Sequence, residues 1–191
     1  MALTKNRLKL EFDSKARKEL KEELELSNIM QVPRVEKVVL NIGVGEGYHN
    51  PKTLESATKT LEVICGQKPV VARARKSISN FKIREGHPIG VMCTLRGQKM
   101  WHFLDKLVNM VLPRVRDFQG VSVKHFDGKG NLNIGFKDQL VFPEIVFDQV
   151  DFIKGLSVTI VTSARDDYQA SCLLKKHGMP FSDFKVLERV S

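Results

Sequence analysis

From Arg34 to Ile42 the sequence RVEKVVLNI alternates with a period of two. That period commits the segment to a strand with one buried and one open face. Val38, Leu40 and Ile42 fall on one side, and Lys37, Val39 and Asn41 on the other. Ile89 to Arg96, entered after Pro88, repeats the pattern: Val91, Cys93 and Leu95 oppose Met92, Thr94 and Arg96. Strands of this kind need a cover on one side, and the helical segments carry matching apolar stripes. Asn50-Pro51 opens a helix on which Leu54, Ala57, Leu61 and Ile64 recur, and Gly66 closes it. Lys99 to Leu112 bears Met100, Phe103, Leu104, Leu107, Val108 and Val111 on one stripe, and Pro113 stops it. Asp166 to His177 is a last helix, ended by Gly178. Near the N-terminus, Asp13 or Ser14 caps a surface helix of about 14–26, with Ala16, Leu20 and Leu24 as its stripe.

Three further segments complete the expected order. Lys68 to Arg75 is a short strand, and Leu156 to Ser163 another. Val121–Phe126 and Leu132–Phe136, joined by Asp127-Gly128-Lys129-Gly130, read as a hairpin. The sum predicts an α+β fold: a mainly antiparallel sheet, helices packed on one face, and an extended basic loop. The 191 residues are enough to bury a core without disulfides. Three well-separated cysteines, Cys65, Cys93 and Cys172, read as reduced thiols of a cytoplasmic-type compartment. No apolar run approaches the ~20 residues that span a bilayer, so no membrane partner is expected. The acid-rich first 26 residues lack the features of a targeting leader.

Charge narrows the function. The chain carries 31 basic and 22 acidic side chains, a formal net charge of +9. Most of that excess lies in residues 68–99, where Lys68, Arg73, Arg75, Lys76, Lys82, Arg84, Arg96 and Lys99 face one acid, Glu85. Within this stretch Arg75 to Arg84 reads as a long irregular loop in which Phe81 and Ile83 alternate with Lys82 and Arg84. Such a loop suits a phosphate backbone, with apolar groups resting on sugars or bases.

Other chemistries fail their own tests. Gly43-x-Gly45-x-Gly47 sits between a strand and a helix, but it is not G-x-G-x-x-G and lacks the acidic partner of a dinucleotide site. His49, His87, His102, His125 and His177 are scattered without metal-ligand spacing, so neither a metal nor another cofactor is expected. Cys93 shares its strand face with Val91 and Leu95, as a core thiol rather than a nucleophile. Two readings stay open here: a free-standing RNA-binding module or chaperone, and a nucleotide-dependent RNA-modifying enzyme using the glycine loop.

Longer words of sequence then match a family. Met30-Gln31-Val32-Pro33-Arg34-Val35-Glu36-Lys37 followed by Leu40-Asn41-Ile42-Gly43-Val44-Gly45-Glu46 resembles the bacterial-type ribosomal protein L5 family. So do Gly66-Gln67-Lys68-Pro69, Ala74-Arg75-Lys76-Ser77, Phe81-Lys82-Ile83-Arg84, Thr94-Leu95-Arg96-Gly97 and Met100-Trp101. Pro113-Arg114-Val115-Arg116-Asp117-Phe118, Phe126-Asp127-Gly128-Lys129-Gly130-Asn131, Phe142-Pro143-Glu144-Ile145 and Pro180-Phe181 continue the series, so the likeness runs from about Met30 to Phe181. The resemblance implies a non-enzymatic protein of the cytoplasmic ribosome, in the central protuberance of the large subunit. The implied partners are 5S rRNA, 23S rRNA, neighbouring central-protuberance proteins, P-site tRNA and a small-subunit head protein across the intersubunit bridge. Matched by motif, Asn41, Gln67 and Thr94 are the implied 5S rRNA residues, and Lys37 and Arg96 join them on the open sheet face. The implied tRNA loop is about 74–86, with Arg75, Lys76, Ser77, Phe81, Lys82 and Arg84 as contacts. Residues 1–181 are expected to form a single RNA-binding domain, followed by a tail over 182–191.

Overall fold

The computed structural model describes residues 6–45, 50–145 and 153–182. Gly47, Glu46 and His49 of the glycine loop, and the tail beyond Ser182, lie outside them. The described residues contain a five-stranded antiparallel sheet in the order β2-β3-β1-β5-β4. The strands are β1 (Val35–Gly43), β2 (Val70–Arg73), β3 (Pro88–Leu95), β4 (Leu132–Phe136) and β5 (Leu156–Thr162). β2 pairs with β3 in antiparallel register, Val70 opposite Met92 and Ala72 opposite Gly90.

The alternation read from the sequence is realised in burial. Val38, Leu40 and Ile42 of β1 and Val91, Cys93 and Leu95 of β3 are buried, as are Leu132, Ile134 and Phe136 of β4 and Leu156, Val158 and Ile160 of β5. Asn41, Met92, Asn133, Gly135 and Ser157 are exposed on the opposite parity. One face is therefore covered and the other open, as a sheet of mixed parity requires.

The helices form where the caps and stripes place them. α3 (Pro51–Cys65) has proline in its first turn and ends at Gly66, whose φ of 59° is left-handed. Buried Ala57, Leu61 and Ile64 form its inner stripe. α4 (Gly97–Lys106) buries Met100, Trp101, Phe103 and Leu104 and continues through a π-type turn, Leu107–Val111. α5 (Asp167–Lys176) buries Ala170, Ser171, Cys172, Leu173 and Leu174.

The chain divides into two compact units. The first draws on residues 1–38, 96–134 and 159–191, the second on 39–95 and 135–158. The first unit contains the N-terminal helix, α4 and α5. The second contains β2, β3, α3 and the basic segment as far as Leu95.

Two expectations are corrected. The N-terminal helix does not start near residue 14. α1 (Arg7–Glu11) is capped by Asn6, whose side chain accepts from the Leu8 N–H, and runs through a π-type turn, Phe12–Ala16, into α2 (Arg17–Glu23). Leu8 and Phe12 extend the buried stripe by two turns, and the Phe12 ring packs 6.1 Å from Trp101. Tertiary burial of Phe12 outweighs the local capping signals at Asp13 and Ser14. The second correction concerns the hairpin. Val121 to Phe126 is not a strand: Val123–His125 is a 3₁₀ turn, and a single bridge joins Phe126 to Leu132. Val121 bridges Phe181 instead, and β4 takes β5 as its neighbour. The turn itself is held by carboxylates. Asp127 accepts from the N–H groups of Lys129 and Asn131, and Asp167 from those of Gly128 and Gly130. The Asn131 side-chain amide, 2.7 Å from Asp127, is the main cause holding the Asp127 carboxyl below its usual range.

Candidate nucleic-acid interface

The second unit carries Asn41, Gln67 and Thr94. Asn41 is exposed on the open side of β1, and Thr94 is half-buried on the matching side of β3. Gln67 follows the left-handed Gly66, and this turn aims its amide Nε2 at the carbonyl of Thr94, 3.4 Å away. The Ser157 hydroxyl donates to the Asn41 carbonyl at 3.3 Å. Gln67 and Thr94 are thus brought together, and Ser157 joins Asn41. The Leu156 to Ser163 alternation held the signal for Ser157, which the sequence reading did not use. This surface is uncharged and rich in hydrogen-bonding groups. It offers short-range register rather than attraction.

Lys37 and Arg96 belong to the first unit. Lys37 is half-buried on the same parity of β1 as Asn41; Arg96 is exposed and immediately precedes α4. In that unit the Thr159 hydroxyl donates to Asn133 Oδ1 at 2.6 Å on the outward rows of β5 and β4.

The basic loop is not irregular. It is a short arm that leaves β2 and returns to β3. At its base the Ala74 N–H donates to the His87 carbonyl (2.8 Å) and the Gly86 N–H to the Ala74 carbonyl (2.9 Å). Farther out, Ile78 and Ile83 exchange reciprocal backbone bonds of 2.8 and 3.1 Å. The tip is a 3₁₀ turn, Ser79–Phe81, closed by Lys82 in the left-handed region at φ 54°. Three side chains stitch the returning limb. Ser77 Oγ accepts from the Glu85 N–H, His87 Nδ1 accepts from the Arg84 N–H, and Arg73 donates to the Gly86 carbonyl. Sequence reasoning missed Arg73 and His87 in these roles, because each acts on a backbone group and leaves no periodic trace.

Arg75, Lys76, Ser77, Phe81, Lys82 and Arg84 are all exposed. Phe81 stands 73% exposed at the tip, and Ile78 is also open. An apolar ring raised on a cationic stalk matches what a folded RNA presents: phosphates along the flanks and stacked or sugar surfaces at the end. Cys65, Cys93 and Cys172 are buried. Among the described residues no group of three or more His, Cys, Asp or Glu is placed to hold a metal ion, and no helix is long and apolar enough to cross a membrane.

Comparison with known proteins gives a consistent result over both units. Residues 28–84 match the family described as Ribosomal protein L5, and residues 88–181 match the C-terminus of that same ribosomal family. Similar proteins include the large ribosomal subunit protein uL5 of Roseiflexus sp. (strain RS-1), 57% identical over 93% of this chain and 98% of that one. The protein of the same name from Thermoanaerobacter sp. (strain X514) is 55% identical over 93% of this chain and 99% of its own length. That from Anaeromyxobacter sp. (strain K) is 54% identical over 92% and 97%.

Proposed function

Because the chain belongs to the ribosomal protein L5 family, a structural family and not an enzymatic one, we infer that its open sheet face binds 5S rRNA and its arm reaches the P-site tRNA. It is a protein of the large ribosomal subunit in the cytoplasmic ribosome. Within that setting we place it in the central protuberance. 23S rRNA, neighbouring proteins and a small-subunit head protein are its further partners.

The one-sidedness of the sheet carries the reading for 5S rRNA. Val38, Leu40, Ile42, Val91, Cys93 and Leu95 are committed to the core, so Asn41 and Thr94 are left facing outward with their hydrogen-bonding groups. Neutral amides and hydroxyls set register on a sugar-phosphate chain, and Lys37, Arg96 and the arm cations supply long-range attraction. Phe81 and the cations beside it support the tRNA reading for the arm. The arm is built from its own backbone bonds, so it can contact a second RNA while the sheet holds the first.

The deciding experiment measures both contacts in the same variants. Asn41→Ala combined with Thr94→Ala is expected to lose 5S rRNA binding at moderate salt. Replacing Ser77 to Arg84 by a short Gly-Ser link is expected to leave 5S rRNA binding largely intact and to reduce protection of P-site tRNA on assembled ribosomes. If the shortened protein loses 5S rRNA as completely as the double variant, the arm belongs to the rRNA site and the division is wrong.

A further inference from the structure

The arm returns to β3 through the turn Arg84-Glu85-Gly86-His87. Its geometry depends on one ring nitrogen. The His87 N–H donates to the Arg84 carbonyl at 3.2 Å, and the Arg84 N–H donates back to His87 Nδ1 at 3.1 Å. An N–H donor needs a lone pair on its partner. His87 Nδ1 is therefore the acceptor that fixes this turn.

The consequence reaches the tip. Arg84 is one residue beyond Ile83, whose backbone pairs with Ile78, and Lys82 closes the 3₁₀ turn that raises Phe81. The Glu85 N–H is fixed to Ser77 Oγ on the outgoing limb. Arg84 and Glu85 are thus two of the three points where side chains fasten the returning limb. Lys82, Arg84 and Glu85 line the same shallow concavity as His87. Arg73 reaches the carbonyl of Gly86 on this turn.

We propose that His87 is a positioning residue for the arm: its Nδ1 locks the Arg84 turn and so presents Phe81, Lys82 and Arg84 to tRNA. The proposal rests on the tRNA reading above and adds a positioning residue to that same site. An arm that is already ordered forfeits less conformational freedom on binding, so loosening it lowers affinity without removing any RNA contact.

The test uses ribosomes reconstituted with the full chain, P-site tRNA, and the ultraviolet cross-linking yield between arm and tRNA. His87→Ala is expected to lower the yield about three- to tenfold at pH 7.5, the effect of one lost hydrogen bond. His87→Asn restores it, because the asparagine Oδ1 replaces the Nδ1 acceptor. In the free protein, the Arg84 amide is protected from exchange in wild type and in His87→Asn, and unprotected in His87→Ala. If His87→Ala cross-links like wild type while the Gly-Ser arm variant does not, the positioning role falls and the tRNA reading stands. If the Gly-Ser variant also cross-links like wild type, both fall. A His87→Asn variant that cross-links as poorly as His87→Ala also overturns the proposal.

Discussion

His177 ends α5 with its ring 5.5 Å from Phe12 and 5.3 Å from Trp101, and it is only 6% exposed. Its Nε2 is buried and has no hydrogen-bond partner. Burial disfavours the imidazolium and lowers the pKa from 6.5 to about 4. A lowered histidine pKa means that the folded protein holds the neutral ring while the unfolded chain takes up a proton. Stability from this group is full above pH 6.5, falls as the pH drops from 6.5 to about 4, and changes no further below that. The whole shift corresponds to about 3 kcal/mol, of which about 2 kcal/mol is lost by pH 5. Trp101, the chain's only tryptophan, lies against the ring and reports directly on this cluster. Urea unfolding followed by its fluorescence at pH 7 and pH 5 measures the loss. His177→Phe keeps a ring among rings and removes the proton site, so it is expected to lose about 2 kcal/mol less than wild type over that interval. The Lys176 bonds to Glu19 and Glu23, at 3.1 and 3.2 Å, are common to both proteins and cancel in the difference. If wild type and variant weaken equally from pH 7 to pH 5, the buried ring is not the titrating group and the reasoning fails.

Four other outcomes follow from the geometry. If ~5–7 of the eight basic groups in residues 68–99 meet phosphates, log K for 5S rRNA falls against log salt with a slope of about −4 to −6 in filter binding. Asn41→Ala, Gln67→Ala and Thr94→Ala are each expected to cost ~0.5–1.5 kcal/mol of that binding and to leave the slope unchanged, whereas Arg75→Ala lowers it if Arg75 meets a phosphate on that RNA. Gly90→Ala places a Cβ 2.9 Å from the Ile42 backbone carbonyl, forcing β3 from β1, and is expected to cost ~1–3 kcal/mol in denaturant unfolding. Asp167→Ala removes the acceptor of the Gly128 and Gly130 N–H groups and is expected to expose both amides to hydrogen exchange.

What could be read from the sequence was whatever local physics determines. The period of two in Arg34 to Ile42 and in Ile89 to Arg96 is a property of the strand itself, so the buried and open faces were visible before any partner was known. Pro51, Gly66 and Gly178 mark helix ends through backbone constraints within a few residues. The misread parts depend on distant partners. The N-terminal helix begins early because Phe12 meets Trp101 and His177, both far along the chain. Asp127-Gly128-Lys129-Gly130 has the composition of a hairpin turn, yet its N–H groups also bond to Asp167 and its following strand pairs with β5. Asn41 and Thr94 were placed outward by periodicity; their assignment to 5S rRNA came from the matching words of the family. The arm's cations were plain in the composition. The bonds from Arg73, Ser77 and His87 that shape it were not, since a side chain meeting a backbone group has no pattern to follow.

The strand order has a bearing on how the chain is made. Among the described strands β5 is the last to be synthesised, yet it occupies an inner position, between β1 and β4. Both compact units also draw on segments from late in the chain. A nascent chain that has not yet released Leu156 to Thr162 from the ribosome holds β1 with one unpaired edge and leaves β4 without its neighbour. At ~5–20 residues per second, the ~120 residues between the end of β1 and the end of β5 take roughly 6–24 s to produce. Throughout that interval Leu40 and Ile42 lie on a strand open to pairing with other chains, the condition that favours aggregation. A chain truncated before Leu156 never leaves it. Synthesis of this protein therefore has a vulnerable window that closes with a single strand.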